Sequence, residues 1–539
     1  MEFFFSFFTS AIVSIALIPV LIRLASTLNM MDKPEERKVH TIPIPRCGGI
    51  GIASGVIVAF LLFIPFNDTV LSLIVGGGVI IVFGLIDDQI NLNYKWKFGG
   101  QFLAVFVTMG GGLAFSYLPF FGLEPAPSFL TLPLTVVFVI GVTNAVNMSD
   151  GLDGLAAGVM LLTISAIAFL AVLVEGDEIV IMSLAIAGGI VGFLWFNTHP
   201  AIVFMGDTGS QFIGFMAAFL SIYLTQDVFQ TLNPALPLLL LGLPVLDTIS
   251  VMTLRIRSGL SPFSPDQRHI HHRLLNIGFT HAEAVGTIYL LQGIFLLAAF
   301  LLRYASDFTV VTVYLLIGSS ILAFLHYAER YQWLLRSPQI KEEKRSRWRI
   351  WRSDRLFKFT RSYIKYSIAL FLAVFIGLLY WQHHTQYLQL LTVIIASLGL
   401  FLFAPDVLQD LFVRVSIYFS AVFSYMLAAN ANLGVQIISN WVLNVFFSVL
   451  ILVVFIAIRI TRKSDFRLTT QDVLVALFVS ATIALVDIEY VGHVLFRLFC
   501  LAYALEYILN RKHCLFKPLK FMAILAGVLI IVVVLPGLE

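Results

Sequence analysis

The sequence predicts an all-α fold, a polytopic bundle of membrane-spanning helices. Three observations carry that expectation. First, 59% of the 539 residues are hydrophobic and only 12% are charged, against about 25% charged in a soluble domain. Second, apolar runs of about 20 residues, enough to cross a bilayer as a helix, recur along the chain and give about 18 spans, about 11 of them in the first part. The roughly 10-residue alternation of a membrane β-barrel is absent. Third, Lys and Arg cluster in alternate loops: Arg23 to Arg46, Lys95 to Lys97, Arg255 to Arg273, Arg330 to Lys365, Arg459 to Arg467 and Arg511 to Lys520. The intervening loops are nearly free of them, with Arg303 the main exception. The positive-inside rule puts the basic loops in the cytoplasm, and an even helix count then puts both termini outside. The first apolar run opens MEFFF, without a basic n-region or a small-residue cleavage site. It is expected to stay as helix one and not to be removed as a signal peptide.

Taken in order, helix one runs to about Ala25. The stretch 29–46, NMMDKPEERKVHTIPIPR, is polar, basic and broken by proline, so it reads as a loop. Helices two and three lead to Asp87-Asp88. Helix four is expected from near Gln101 and helix five from near Phe129. VEGDE joins helices six and seven, and helices eight and nine follow Ser210. The long loop Arg255 to Glu283 precedes helices ten and eleven, which end near Tyr327. Residues 1–327 therefore read as a transmembrane core. Residues 328–365 form a basic segment with Trp333, Trp348, Trp351 and Phe357 interleaved. It suits an amphipathic stretch on anionic inner-leaflet lipids, with a plain basic linker as the alternative and no nucleic acid expected beside so many spans. Residues 366–539 hold about seven further spans by the same length criterion. Cys47, Cys500 and Cys514 lack CxxC spacing and read as small hydrophobes or free thiols.

Four polar islands interrupt the core, each at the end of an apolar run, where ionisable groups are costly unless they pair, solvate or bind something. At Asp87-Asp88, adjacent carboxylates can share Mg2+ or divide metal and proton between them; a solvated helix end is the bland reading. Asn91 shares their face if the helix persists. The second island is NAVNMSDGLDGLA, from Asn144. Its Asn147, Asp150 and Asp153 are spaced so that a helical turn would stack them, and Gly151 and Gly154 allow close backbone approach or a turn. It lacks the ligand pattern of a calcium loop. In FNTHPAIVFMGDTGS, residues 196–210, Asp207 sits between glycines before an apolar helix. That suits a metal and phosphates at a helix N-terminus, or a plain N-cap by Asp207 or Ser210. Phe204 just before it stacks on a base or faces lipid.

The fourth island, Arg268 to Arg273, holds three imidazoles and two guanidiniums, which suit a diphosphate through charge-assisted hydrogen bonds from Arg and from protonated His. No zinc-site spacing accompanies it. Asp247 lies about 12 Å inside the cytoplasmic end of its helix at ~1.5 Å per residue, so it needs a partner or a cleft. Together the islands equip one face for metal-assisted chemistry on phosphates, with a lipid as one reactant. A transporter or lipid flippase is the rival reading. It predicts acids near the midplane, whereas these gather at helix ends on one side, with only Asp247 deeper.

DDQIN, NAVNMSDGLDGLA, FNTHPAIVFMGDTGS and PDQRHIHHRL, in this order and spacing, resemble the polyprenyl-phosphate N-acetylhexosamine-1-phosphate transferase family over about residues 1–325. The resemblance implies transfer of a sugar-1-phosphate from a UDP-HexNAc donor to undecaprenyl phosphate with release of UMP, in a bacterial inner membrane with the site facing the cytoplasm. It implies Mg2+, with Mn2+ as a substitute, on Asp207 and near Asp88, with Asp87 as base or phosphate-activating group. Asn144, Asn147, Asp150, Asp153 and Asn197 would shape the nucleotide-sugar site, with Phe204 against uracil. Arg268, His269, His271 and His272 would contact diphosphate or sugar, and Lys38, His40 and Arg46 the lipid phosphate. HIHHRL is nearer the initiating sugar-phosphate transferases than the pentapeptide enzyme, so UDP-N-acetylglucosamine is the first-choice donor. A homodimer is a further expectation. The helices after 366 depart from the usual length of the family.

Overall fold

The structure, a computed structural model, describes residues 2–32, 43–122, 124–228, 232–261, 268–331 and 445–450 apart from 447. Lys38, His40, nearly all of the basic segment, nearly all of the region after 366, Cys500 and Cys514 lie outside the described residues. The chain divides into two compact units, the first being Met1–Ile340 with Thr469–Leu474. All the helices discussed below belong to the first.

Among the described residues the order is α1 (Glu2–Leu24), α2 (Gly48–Phe63), α3 (Asp68–Ile90), α4 (Tyr94–Gly110), α5 (Ser128–Ser149), α6 (Leu155–Leu173), α7 (Asp177–Asn197), α8 (Gly206–Tyr223), α9 (Leu236–Leu240), α10 (Gly242–Arg257), α11 (Ile270–Asn276), α12 (His281–Leu301) and α13 (Asp307–Arg330). Eight of these, α1, α3, α5 to α8, α12 and α13, are long and apolar enough to cross a membrane. The shorter α2 and α4, and α9–α10 interrupted at Leu241, fill the other three places in the expected order. The chain is a multi-pass, helical membrane protein. The expected all-α class holds with one small departure: Met31–Asp32 pairs antiparallel with Ile44–Pro45.

Local chemistry sets the helix ends. The Asn67 side chain accepts from Val70 N at the start of α3, and a Thr280–Glu283 capping box opens α12. Two expectations need correction. Helix α4 begins at Tyr94 and not near Gln101, because Asn93 caps it by accepting from Lys95 N; this puts Lys95 and Lys97 on its first turn. Asn91 does not continue the face of Asp87 and Asp88, because it closes α3 in the left-handed conformation, φ 50.

Helix α8 is the axis of the bundle. Every residue of the span Gly206–Gln226 except Gly206, Asp207 and Tyr223 is buried, and α8 packs against α2, α3, α5, α6 and α7. Glycines permit this approach. A Cβ on Gly49 would lie 2.2 Å from Gly209 N, and one on Gly84 would lie 2.6 Å from Thr208 Cα. Amide side chains add cross-links: Gln101 Nε2 donates to Gln211 Oε1 at 2.9 Å, and Asn144 Nδ2 donates to Gln101 Oε1 at 2.8 Å. Gln101 and Asn144 therefore together tie α4, α5 and α8.

Gly84→Ala is expected to lower the melting temperature in detergent, since overpacking against backbone costs about 1–3 kcal/mol. Gly78→Ala, with nothing within 4 Å of its Cβ, is expected to leave it unchanged. Equal melting of the two variants would contradict the α3–α8 contact.

Candidate active site

The site grows from the first turn of α8. Gly206 adopts φ 72, and a Cβ there would sit 2.7 Å from Asp88 Oδ2. The Asp88 carboxylate accepts from Asp207 N at 2.8 Å, Thr208 N at 3.0 Å and Thr208 Oγ1 at 2.6 Å. An anion is favoured there by the helix dipole and the free N–H groups. The helix is thus capped from α3 and not by Asp207 or Ser210. Ser210 Oγ instead donates to Asn147 Oδ1 at 2.8 Å.

This hold brings Asp207 beside Asp87. Lys97 Nζ lies 2.5 Å from Asp87 Oδ2 and 3.0 Å from Asp207 Oδ2. The two carboxylates lie close to each other, and Asn147 lies beside the Asp207 side chain. Asp87 Oδ1 accepts from Leu92 N at 2.7 Å. Lys97 is the functional candidate that the sequence reading missed. It looked like a loop lysine obeying the positive-inside rule, and only the Asn93 cap signals that it begins a helix.

The DGLDG segment takes the turn that Gly151 and Gly154 allow and not a helical turn. Helix α5 ends at Ser149, Asp150 follows as its C-cap, and α6 starts at Leu155 after Gly154 at φ 75. Burial, and then the charges of Asp207, Asp153 and Asp88, push the Asp150 acid up to about 7, with Arg46 opposing. Arg46 also pairs with Asp32. Asn197 is buried and spends both polar groups on backbone, accepting from Gly154 N at 2.8 Å and donating to Val203 O at 2.8 Å. It staples two loops of the site. Phe204 is held by its backbone, its N–H donating to Pro45 O at 2.7 Å and its carbonyl accepting from Gly48 N at 3.0 Å. Cys47 is buried and its thiol is pushed up to about 12, mainly by that burial; it behaves as a small hydrophobe.

The imidazole island splits. His271 lies against Gly151, where a Cβ would meet its Nε2 at 2.3 Å. Burial first, then His272 and His269, push the His271 pKa down to about 3. His271 is therefore neutral at physiological pH, which corrects the expected cationic role: it offers a hydrogen bond and no charge. The His272 ring is 4.2 Å from the His271 ring. His269 Nδ1 lies 2.8 Å from Asp247 Oδ2. Arg273 grips Glu329 of α13 with two bonds, 2.6 and 2.8 Å, and exposed Arg268 donates to Ser258 Oγ at 3.0 Å.

Asp153 stands apart from the Asp87–Asp207 pair. Its Oδ2 is 2.6 Å from His199 Nδ1 and accepts from Ala201 N at 3.1 Å. His199 stacks on His281 with centroids 4.1 Å apart and planes 21° from parallel. The ligand atoms of Asp153, His199 and His281 lie within 4.8 Å of one another. Stacked rings in that arrangement cannot both aim in-plane lone pairs at one ion. As oriented, the trio is a hydrogen-bonded stack. The carboxylate oxygens of Asp87 and Asp207 fit a hard divalent cation better.

The Asp150 shift gives a pH prediction. The folded chain holds this proton up to about pH 7, whereas an ordinary carboxyl releases it near 3.8. In that window the folded state binds more protons, so stability falls as pH rises. Asp150→Asn removes the effect. Its melting temperature relative to wild type, in metal-free detergent, is expected to rise from pH 5 to pH 8; a pH-independent difference would contradict the burial.

Residues 70–225 match the family model described as Glycosyl transferase family 4. The chain is 36% identical over 306 residues to the probable undecaprenyl-phosphate N-acetylglucosaminyl 1-phosphate transferase of Bacillus subtilis (strain 168), covering 56% of this chain and 85% of that protein. It is 39% identical over 306 residues to the decaprenyl-phosphate N-acetylglucosaminephosphotransferase of Mycobacterium leprae (strain TN), covering 50% and 76%. It is 31% identical over 326 residues to the undecaprenyl-phosphate alpha-N-acetylglucosaminyl 1-phosphate transferase of Yersinia pestis, covering 58% and 87%. With the site geometry beside these likenesses, the chain belongs to glycosyl transferase family 4, among the polyprenyl-phosphate sugar-1-phosphate transferases.

Proposed function

We propose that this protein transfers N-acetylglucosamine-1-phosphate from UDP-N-acetylglucosamine to undecaprenyl phosphate, releasing UMP at the cytoplasmic face of a bacterial inner membrane. The supporting observation is the meeting of Asp87, Asp207 and Lys97 at the buried start of α8, in a chain that spans most of a relative so named. The orientation rests on the basic loops lying at the same end of the helices as the acids.

Asp207 and Asp87 are the residues that would hold Mg2+ or Mn2+; the ammonium between the two carboxylates indicates that they already share one cation. Bound there, the ion would neutralise diphosphate charge. Asp88 has both oxygens on the α8 N-terminus, so we assign it to positioning Asp207 and no longer to the metal. Asp87 accepts the proton of the acceptor phosphate. That phosphate oxygen then forms the bond to the sugar-bearing phosphorus of the donor, and the bond to UMP breaks. Lys97 offsets charge on the phosphates, and Arg46, with Lys38 and His40, serves the lipid phosphate. Asp150, Asp153 and Phe204 border the nucleotide side, while Asn144 and Asn197 support it from behind. His271 and His272 meet the sugar diphosphate. We also read residues 1–327 as the catalytic unit, 328–365 as a segment for anionic inner-leaflet lipids, and 366–539 as a separate module. A homodimer is part of this reading.

The test is UMP release by the purified full chain with a panel of UDP-sugars. Turnover is expected to require undecaprenyl phosphate and Mg2+ and to favour UDP-N-acetylglucosamine. Asp207→Asn and Lys97→Ala are each expected to lower kcat about 10²–10³-fold, the usual loss for one electrostatic group in a reaction centre. Undiminished turnover in Asp207→Asn, or turnover without the lipid, would contradict the proposal.

A further inference from the structure

Asp247 is 6% exposed on α10, and both of its oxygens are engaged. Oδ1 accepts from Ile270 N at 2.9 Å, and Oδ2 meets His269 Nδ1 at 2.8 Å. His269 is itself 6% exposed. A carboxylate can only accept, so the ring must carry its proton on Nδ1. With its single ring proton there, the imidazole keeps a lone pair on Nε2, which makes no hydrogen bond to the described residues. The His269 ring runs parallel to the His271 ring, with centroids 5.8 Å apart and planes 12° from parallel. His271 in turn lies against Gly151, next to Asp150. One carboxylate therefore fixes an imidazole and, through Ile270 N, the start of α11.

We propose that Asp247 is a positioning residue: it locks the tautomer of His269, so that Nε2 accepts a hydrogen bond from an O–H or N–H donor on the N-acetylhexosamine. The inference rests on the transferase reading. It moves His269 from the diphosphate, which offers only acceptors, to the sugar. Asp247 acts through His269 and touches neither substrate.

Asp247→Asn separates this role from packing, because its volume is nearly the same. Its carbonyl oxygen must still accept from Ile270 N, so its amide N–H faces His269 Nδ1 and forces the proton to Nε2. The full chain in detergent is expected to keep its melting temperature. KM for UDP-N-acetylglucosamine is expected to rise about tenfold, the scale of one lost buried hydrogen bond, with KM for the lipid unchanged. In a His269→Ala background, Asp247→Asn is expected to add nothing. The tautomer is read independently of turnover by nitrogen-15 spectra of histidine-labelled protein, with His269→Ala assigning the signal: Nδ1–H in wild type and Nε2–H in Asp247→Asn. An unchanged KM in an otherwise active enzyme, the same loss in the His269→Ala background, or an Nε2–H tautomer in wild type would overturn the inference. A wild-type chain that releases no UMP would sink the transferase reading instead, and the spectra would then decide the tautomer alone.

Discussion

The hydrogen bonding of the Asp88 carboxylate to the first turn of α8 is the constraint on which the rest of the structure depends. A helix N-terminus has N–H groups without intrahelical partners, and a buried carboxylate needs donors. Each solves the other's problem. The union requires α3 to come within contact of α8, which Gly84 permits, and the chain to turn sharply into α8, which Gly206 permits at φ 72. With α3 and α8 fastened, Asp87 and Asp207 face each other without further design.

The charge balance that results is uneven. Asp87, Asp88, Asp150 and Asp207 crowd one recess, with Lys97 and Arg46 as the cations that oppose them. Asp88 is neutralised by helix N–H groups, and Asp87 and Asp207 divide one ammonium. Asp150, pushed up by burial first and then by these charges, holds its proton to about pH 7. A recess of this kind favours an added divalent cation or a cationic group. Of the neighbouring imidazoles, His271 is held neutral and His269 turns its Nδ1 to Asp247. Around the recess, Asn197 and the Gln101–Asn144–Gln211 amides consume their polar groups internally. They keep the loops and helices in register and leave the chemistry to the acids.

Much of this was legible in the sequence because it follows from solvation. Apolar length gave the helices of the first 330 residues in order, and polar islands at their ends pointed to one shared face. What was not legible depends on partners distant in the chain. Asp88 and Asp207 are 119 positions apart, Asp247 and His269 are 22 apart, and Arg273 and Glu329 are 56 apart. No local pattern marks such pairs. Lys97 was obscured by a helix start set seven residues too late, because Gly99-Gly100 and the charged residues before them resemble a loop. The spacing of Asp150 and Asp153 suits a helical turn, and Gly151 and Gly154 allow a plain turn; the segment takes the second.

The central claim is that the oxygens of Asp87 and Asp207, and not the Asp153–His199–His281 stack, form the divalent cation site. Electron paramagnetic resonance of Mn2+ titrated into the purified chain addresses it without turnover. The account predicts one bound ion that Mg2+ displaces, lost in Asp207→Asn and retained in His199→Ala. Binding retained in Asp207→Asn and lost in His199→Ala would contradict it.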